Sequence, residues 1–110
     1  MTISISKFFP ATVLTTSAAT IYTIPLVPST TVLKNGRVAL TNTTAGPVTA
    51  TLYSTTAASA AVCFLFEKSI AVNETLYADL PTMGAGDALV GKAGANTSIT
   101  VHECGGALYS

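Results

Sequence analysis

Apolar and polar residues alternate along several stretches of the chain, and this period of two constrains the fold more than any other feature. In VTATLY, at residues 48–53, valine, alanine and leucine share one face, while threonine and tyrosine share the other. Successive side chains of a β-strand point to opposite sides, so such a stretch predicts a half-buried strand. GRVALTN at 36–42 and TSITVHE at 97–103 alternate in the same way. The chain is therefore predicted to consist mostly of β-strands.

Turn signals and apolar runs between these stretches complete the predicted strand pattern. NTTAGP at 42–47 is predicted to be a hairpin loop. AVCFLFEK at 61–68 is apolar almost throughout, which is typical of a strand buried on both faces. Asn35-Gly36 leaves two alternatives open, a tight hairpin turn or a glycine bulge within one longer strand. STTAASAAV at 54–62 fits either a short helical turn or a loop.

Short strands spaced about ten residues apart predict an all-β fold, an antiparallel β-sandwich of the jelly-roll or immunoglobulin-like type. The chain has 110 residues, enough for one domain, predicted to span 1–110 with an N-terminal arm over about residues 1–12. No apolar run approaches the ~20 residues of a membrane helix. The first residues lack the basic and apolar segments of a secretion signal, so they are interpreted as mature sequence.

Charged residues are scarce, and this limits the classes of partner that the chain is expected to bind. Only 9% of the residues are charged, and five acidic residues balance five basic ones, against about 25% charged residues in ordinary domains. There is no basic stripe of the kind that binds nucleic acid, and nothing favours binding to a membrane surface. So few charges leave little to keep a free monomer in solution. The composition therefore indicates a subunit that packs against other protein.

The stretch GDALVGKA at 86–93 is close to a phosphate-binding P-loop. Gly86, Gly91 and Lys92 stand in the P-loop positions, but Ala93 occupies the place of the serine or threonine that holds magnesium. A P-loop also needs a helix after it, and the glycine and asparagine that follow do not favour one. We interpret this stretch as a short strand at 88–90 between two glycine turns, and predict no cofactor.

Residues that could carry catalysis or bind metal do not form a convincing set. On a strand, His102 and Cys104 share a face and Glu103 points away. Zinc needs three or four ligands, so Cys63 would have to join them. We predict a structural role for these residues and no metal. No pair of carboxylates has a catalytic spacing, and no serine lies in a nucleophile elbow, so we predict neither an enzyme nor a small-molecule substrate.

The sequence contains two cysteines and three sequons that could be modified. Cys63 and Cys104 are predicted to be buried free thiols, because a chain without a secretion signal rarely forms disulfides. A disulfide between them in an oxidising compartment stays the open alternative. The sequons at Asn42, Asn73 and Asn96 are predicted to be unglycosylated for the same reason.

Several segments, taken in order, resemble small virion proteins of tailed bacteriophages. The segments are TIYTIP at 20–25, KNGRVALTNTTAGPVTATLYSTT at 34–56 and LPTMGAGDALVGKAGANTSITVHECG at 80–105. One departure follows Pro25, where the phage pattern continues with a glycine-containing turn and this chain has LVPS. In the setting of this resemblance, Asp87 is expected to cap a turn through its side chain.

The resemblance implies an all-β virion component without catalytic residues, assembled as a multimer in the host cytoplasm. The first expectation is a capsid decoration (cement) protein that contacts copies of itself and other virion proteins, such as the major capsid protein. A neck, tail or baseplate subunit of the same fold is the first alternative. From another class, a carbohydrate-binding module of a phage fibre would stack sugars on Tyr22, Tyr53 or Tyr77.

Apolar residues near both termini are the candidate contacts with other subunits. They are Phe8 and Phe9 in the N-terminal arm, and Leu108 and Tyr109 at the other end of the chain. The alternative is that both termini close the sandwich.

Overall fold

Strands make up the whole regular structure in the described part of the chain. The computed structural model describes residues 9–27, 29–56 and 62–109, together with the backbone of residues 3–4. No helix among these residues is long and apolar enough to cross a membrane. The strands are β1 (Ile3–Ser4), β2 (Thr12–Val13), β3 (Ala19–Thr23), β4 (Val32–Asn42), β5 (Val48–Thr55), β6 (Val62–Ile70), β7 (Thr75–Asp79), β8 (Met83–Gly84), β9 (Ala88–Ala93) and β10 (Ile99–Tyr109).

The strands form two antiparallel sheets. One has the order β1-β10-β4-β7, with β2 also paired to β10 and β8 also paired to β4. The other has the order β3-β9-β5-β6. We call them the six-stranded sheet and the four-stranded sheet. This arrangement confirms the predicted antiparallel β-sandwich.

The order of the strands is that of a jelly roll. The pairs β2·β10, β3·β9, β4·β7 and β5·β6 are nested in the sequence, as in one long hairpin with its tip between β5 and β6. Rolling that hairpin brings β10 beside β4 and β9 beside β5. Such a rolled double Greek key is the jelly-roll topology. It is one of the two topologies named from the sequence.

The core lies between the sheets and follows the predicted alternation. Val38 and Leu40 on β4 and Leu52 on β5 are fully buried. The largest fully buried apolar side chains are Ile24, Leu33, Val38, Leu40, Leu52, Ile70, Met83, Leu89, Ile99 and Val101. Burial of this kind stabilises a domain by about 25 cal/mol per Å² of apolar surface removed from water. The space between the sheets is therefore a packed apolar interior.

A bulge, not a turn, explains the Asn35-Gly36 pair. β4 runs through both residues, and its pairing with β10 shifts register on either side of Gly105. Asn35 has φ 58°, a left-handed conformation that asparagine tolerates better than most residues. The second of the two sequence alternatives, one longer strand with a bulge, is the observed one.

The predicted hairpin at residues 42–47 is wrong. β4 and β5 belong to different sheets, so this segment crosses from one sheet to the other. The buried Asn42 side chain directs the crossing, because its amide nitrogen donates hydrogen bonds to the carbonyls of Gly46 and Ile70, both at 2.8 Å. Turn residues marked the loop, but they do not determine which sheet the next strand joins.

The prediction that residues 61–68 form a strand buried on both faces is also wrong. β6 is an edge strand paired only with β5. Its register shifts between Leu52 and Tyr53, which lie opposite Phe66 and Phe64, so Leu65 is a bulge. A bulge re-aims the side chains that follow it. Phe66 therefore packs in the core, whereas Phe64 is 67% exposed.

The predicted strand at residues 88–90 ends too early. β9 continues through Gly91 and Lys92 to Ala93, because β3 and β5 pair with it on both sides. Gly91 and Lys92, predicted to form the second glycine turn, therefore lie within a strand that is paired on both sides. The segment at residues 54–62 is predicted as a helical turn or a loop, but β5 extends through Thr55 and β6 begins at Val62. Residues 57–61 lie outside the described residues.

The predicted side-chain cap by Asp87 is confirmed. The carboxylate of Asp87 accepts a hydrogen bond from the backbone N–H of Gly84 at 3.0 Å. The backbone N–H of Asp87 donates to the Gly84 carbonyl, also at 3.0 Å. Gly86, between them, has φ 86°, which suits glycine. Together these contacts set the direction in which β9 begins.

Replacing Asp87 with alanine should lower the free energy of unfolding by about 1 kcal/mol, because the Gly84 N–H loses its partner. Asp87→Asn keeps an acceptor oxygen and should lose less than half as much. Urea unfolding followed by far-UV circular dichroism measures both. Equal losses in the two variants would show that this hydrogen bond is not the cause.

Candidate protein interface

The P-loop-like stretch does not form a phosphate-binding loop. Gly91 and Lys92 lie within β9, and the backbone of β9 is hydrogen-bonded to strands on both sides. A P-loop binds phosphate with free backbone N–H groups, and a central strand has given these to its neighbours. Lys92 is exposed on the sheet surface.

The residues that could bind metal lie in two different sheets. His102 and Cys104 are exposed on β10, and Glu103 between them is partly buried. Cys63 lies on β6, in the other sheet. No group of three or more His, Cys, Asp or Glu side chains that could hold a metal ion occurs among the residues the structure describes.

Both cysteines are free, as predicted, but they are exposed and not buried. Cys63 is exposed because β6 is an edge strand, and Cys104 because it sits where the β4–β10 register shifts. We expect a thiol reagent to modify both cysteines of the native protein as fast as those of the unfolded chain, because exposed thiols react freely. Reaction only after unfolding would show that the thiols are covered or paired.

Most of the candidate contact residues near the termini pack against other residues of the same chain. Phe9 is 5% exposed, and its ring lies 5.9 Å from that of Tyr22. Leu108 is partly buried against the core. Tyr109 lies near Lys34, whose ammonium is 5.8 Å from the ring centroid. Phe8 lies outside the described residues.

These positions favour the alternative in which the termini close the sandwich. β1 pairs with the end of β10, where Ser4 lies opposite Leu108 and Ile3 opposite Tyr109. The start and end of the described chain are thus neighbours in the six-stranded sheet. Contact of these residues with another subunit stays a prediction.

Large apolar side chains are exposed elsewhere, and two of them, Val62 and Phe64, lie at one end of the four-stranded sheet. Within the described residues, the exposed large apolar side chains are Val13, Leu26, Val27, Val62, Phe64, Val72 and Tyr77. Phe64 and Val62 lie on β6 and point away from the core. Exposed apolar patches of this kind mark sites of protein contact.

Cross-strand pairing groups Phe64 and Val62 with further side chains. Val90, Tyr53 and Phe64 form one row across β9, β5 and β6, and Ala88, Thr55 and Val62 form the next row. The Tyr53 and Phe64 rings are 5.6 Å apart. We call the surface formed by Tyr53, Val62, Phe64 and Ala88, together with Val90, which is only 8% exposed, the apolar end. Sequence reasoning missed it because the Leu65 bulge, which carries no signal in the sequence, turns Phe64 outward.

The same face carries two opposite charges next to the apolar end. Lys92 on β9, Thr51 on β5 and Glu67 on β6 form one row. Lys92 and Glu67 are exposed, whereas Thr51 is 6% exposed. Among the described residues, the salt bridge that forms is between Arg37 and Asp79, at 3.6 Å. Lys92 and Glu67 thus have no ion-pair partner within the described chain.

The opposite face of the sandwich, on the six-stranded sheet, carries an ion pair and a cation–aromatic contact. The guanidinium of Arg37 lies 4.6 Å from the centroid of the Tyr77 ring and also pairs with Asp79. His102 lies two strands away from Tyr77 in the same row. Tyr77 is 55% exposed, but Arg37 occupies one side of its ring. This leaves a limited platform for a sugar.

The other tyrosines proposed for sugar stacking pack against aromatic neighbours. Tyr22 lies against Phe9, and burial raises the pKa of its phenol above the ordinary value. Tyr53 lies against Phe64. Of the three tyrosines considered, Tyr77 is the most exposed.

Comparisons with known proteins add little to this geometry. No protein-family model matches the chain, and no curated protein matches it. The solved structure "Structure of infectious bursal disease virus Gt strain" is similar over 97% of this chain and 32% of that chain, at 10% sequence identity and TM-score 0.38. This chain therefore spans about a third of the length of that one. At this identity and TM-score the similarity carries no statement about function.

Proposed function

We propose that this chain is a structural subunit of a bacteriophage particle, and specifically a capsid decoration protein. The observation that carries the proposal is the jelly-roll topology of a small domain whose interior is filled with apolar side chains. Jelly rolls occur in viral capsid proteins, in lectins and in cupins. Because one fold serves many functions, the chemistry of the surface has to distinguish among them.

The chemistry of the surface favours a structural role over a ligand-binding one. The exposed apolar end, with Phe64 67% and Val62 52% exposed, is the kind of surface that protein contact removes from water. The charge content of 9% leaves few groups that would oppose such contact. The order of the phage-like segments in the sequence points in the same direction.

In this role the protein acts by burying surface between subunits. Each contact with a neighbouring shell protein removes apolar area from water, at about 25 cal/mol per Å². Many such contacts around a shell resist its separation, and they require no chemical step. Candidate partners are copies of the chain and other virion proteins such as the major capsid protein.

A second candidate function, carbohydrate binding on a fibre, depends on the exposed Tyr77. Its free ring side, with Arg37 and Asp79 beside it, offers one stacking surface and polar groups for sugar hydroxyls. Binding on a glycan array that is lost in Tyr77→Ala and kept in Tyr53→Ala would support it. A neck, tail or baseplate subunit would use the same surfaces as a decoration protein.

Cryo-electron microscopy of the particle fraction from the source, with this chain traced in the density, tests the proposal. Density that repeats over the icosahedral shell would support a decoration protein. Density at a single vertex or along the tail would support the neck, tail or baseplate alternative. Absence of the chain from particles would overturn the virion proposal.

A pair of variants tests whether the apolar end makes the contact. Phe64→Ser should reduce the number of copies per particle, because it removes the most exposed aromatic ring of the apolar end. Val72→Ser is the matched control, since Val72 is 43% exposed in the turn between β6 and β7. Equal occupancy of both variants would exclude the apolar end as the attachment surface.

A further inference from the structure

We propose that the outer face of the four-stranded sheet binds the same face of a second copy of the chain. In this dimer, Lys92 of each copy pairs with Glu67 of the other around a two-fold axis parallel to β5. The inference deepens the proposed function, on which it rests, by naming the first partner of the apolar end. Its test needs only the purified protein.

The charges on this face are arranged to complement themselves. Lys92 and Glu67 stand on either side of Thr51, one strand away in each direction. Neighbouring strands are about 4.8 Å apart, so the two charged residues are about 10 Å apart along the row. Both are exposed, and neither forms an ion pair with another described residue. A face that carries one positive and one negative charge equidistant from a line can pair with its own copy.

The charge pattern selects one orientation of the two-fold axis. An axis parallel to β5 exchanges the positions of β9 and β6, so Lys92 of one copy lies opposite Glu67 of the other. An axis across the strands would place Lys92 opposite Lys92, and like charges in contact are unfavourable. Two-fold interfaces of this kind, in which one patch meets itself, are the commonest in soluble oligomers.

The same axis also brings apolar side chains together. It places the exposed Phe64 of one copy over Val90 of the other, which is 8% exposed, and the two Tyr53 rings opposite each other. In the next row, Val62 lies opposite Ala88 of the second copy. The aromatic centre and the charged border are the arrangement found in specific protein interfaces.

Pairing of two β6 edges is the competing way to form a dimer, and the strand disfavours it. In a symmetric antiparallel pairing, a register centred on Glu67 or on Lys68 places like charges opposite each other. Lys68 lies in register with Ala50, on the core side of the sheet, with its ammonium 5.8 Å from the Phe66 ring. An inward charge and a bulge are both devices that protect an edge strand. The long edge is therefore better protected than the low overall charge suggests, and face contact is favoured.

Charge reversal tests the proposed pairing by analytical ultracentrifugation of the purified protein. The wild type should be a dimer, and Lys92→Glu or Glu67→Lys alone should each raise the dimer dissociation constant at least about tenfold, because like charges then meet. An equimolar mixture of the two single variants should associate with nearly the wild-type constant, because each supplies the charge that the other needs. The double variant should also recover.

Lys68→Glu is the matched control, because Lys68 is next to Glu67 in sequence but on the other side of the sheet. It should leave the dissociation constant unchanged, whereas edge pairing would respond to it. A monomeric wild type, or single variants that associate as well as the wild type, would overturn the proposal. So would a mixture that associates no better than its components.

The outcomes separate this inference from the proposed function. A chain that is present in particles but monomeric in solution overturns the two-fold dimer and leaves the virion role intact. A chain that forms the charge-dependent dimer but is absent from particles overturns the virion role and leaves the dimer intact.

Discussion

Replacing Asn42 with alanine is expected to lower the free energy of unfolding by about 3 kcal/mol, a large part of the 5–15 kcal/mol that stabilises a typical domain. The Asn42 side chain is fully buried where β4 ends. Its amide nitrogen donates to the carbonyls of Gly46 and Ile70, and its oxygen accepts from the backbone N–H and the hydroxyl of Thr44, all at 2.8–2.9 Å. Removing the side chain takes away the partner of the Thr44 N–H and a buried hydrogen bond to the Ile70 carbonyl, whereas the Gly46 carbonyl keeps its bond from the Thr44 hydroxyl at 3.2 Å.

The Asn42 contacts join parts of the chain that are far apart in sequence. Its backbone N–H donates to the Glu74 carbonyl, and its own carbonyl accepts from the N–H of Asn73, both at 3.1 Å. Asn42 therefore ties the crossing between the sheets to the turn that follows β6. These two backbone hydrogen bonds remain possible in Asn42→Ala, so the expected loss comes from the side-chain bonds to Gly46, Ile70 and Thr44.

Urea unfolding monitored by far-UV circular dichroism measures the effect, with two comparison variants. Asn96→Ala makes the same change at an exposed site, where the side chain accepts one hydrogen bond from the Thr16 N–H at 2.8 Å, and should cost less than about 1 kcal/mol. Asn42→Asp keeps the volume but replaces the donor, so it should be at least as destabilising as Asn42→Ala. A stable Asn42→Asp variant would show that the donated hydrogen bonds matter little.

The position of the strands could be predicted from the sequence, because alternation reports directly which side chains face a core. The spacing alone puts Val38 with Leu40 on one face and Ile99 with Val101 on one face, and all four are fully buried. The Asn35-Gly36 pair indicates either a tight turn or a bulge, because both need a positive φ that few residues besides glycine and asparagine tolerate. These are local properties, which neighbouring residues in the sequence determine.

The sheet to which each strand belongs could not be predicted, because it depends on contacts between distant residues. The loop at 42–47 crosses between sheets through the bond from Asn42 to the Ile70 carbonyl, 28 residues away. The apolar end was missed for a related reason. A bulge at Leu65 exposes Phe64. The sequence does not distinguish a leucine at a bulge from a leucine in a regular strand. The candidate interface therefore became visible only with the register of β5 and β6.

Replacing Gly91 with alanine should lower the free energy of unfolding by about 2 kcal/mol, although alanine is the smallest side-chain addition. A Cβ at this position would lie 2.9 Å from Ile21 Cδ1 and 3.0 Å from both Leu14 Cδ2 and Leu52 Cδ2. Leu14 is 3% exposed and Leu52 is fully buried. Close-packed neighbours have little room to move, so their shift forces strain into the core.

Gly94→Ala is the matched control, because Gly94 follows directly after β9 and a Cβ there would meet its nearest atom, the Thr49 carbonyl oxygen, at 3.7 Å. This is ordinary contact, so the control should change stability by less than about 0.5 kcal/mol. Thermal unfolding of both variants measures the difference. A Gly91→Ala variant as stable as the control would mean that Ile21 and Leu14 move aside without cost. The expected loss would instead show that residue 91 is glycine because the four-stranded sheet packs closely against the core there. The P-loop-like spacing of Gly86, Gly91 and Lys92 then arises from a turn at Gly86 and a close contact at Gly91. It needs no bound phosphate.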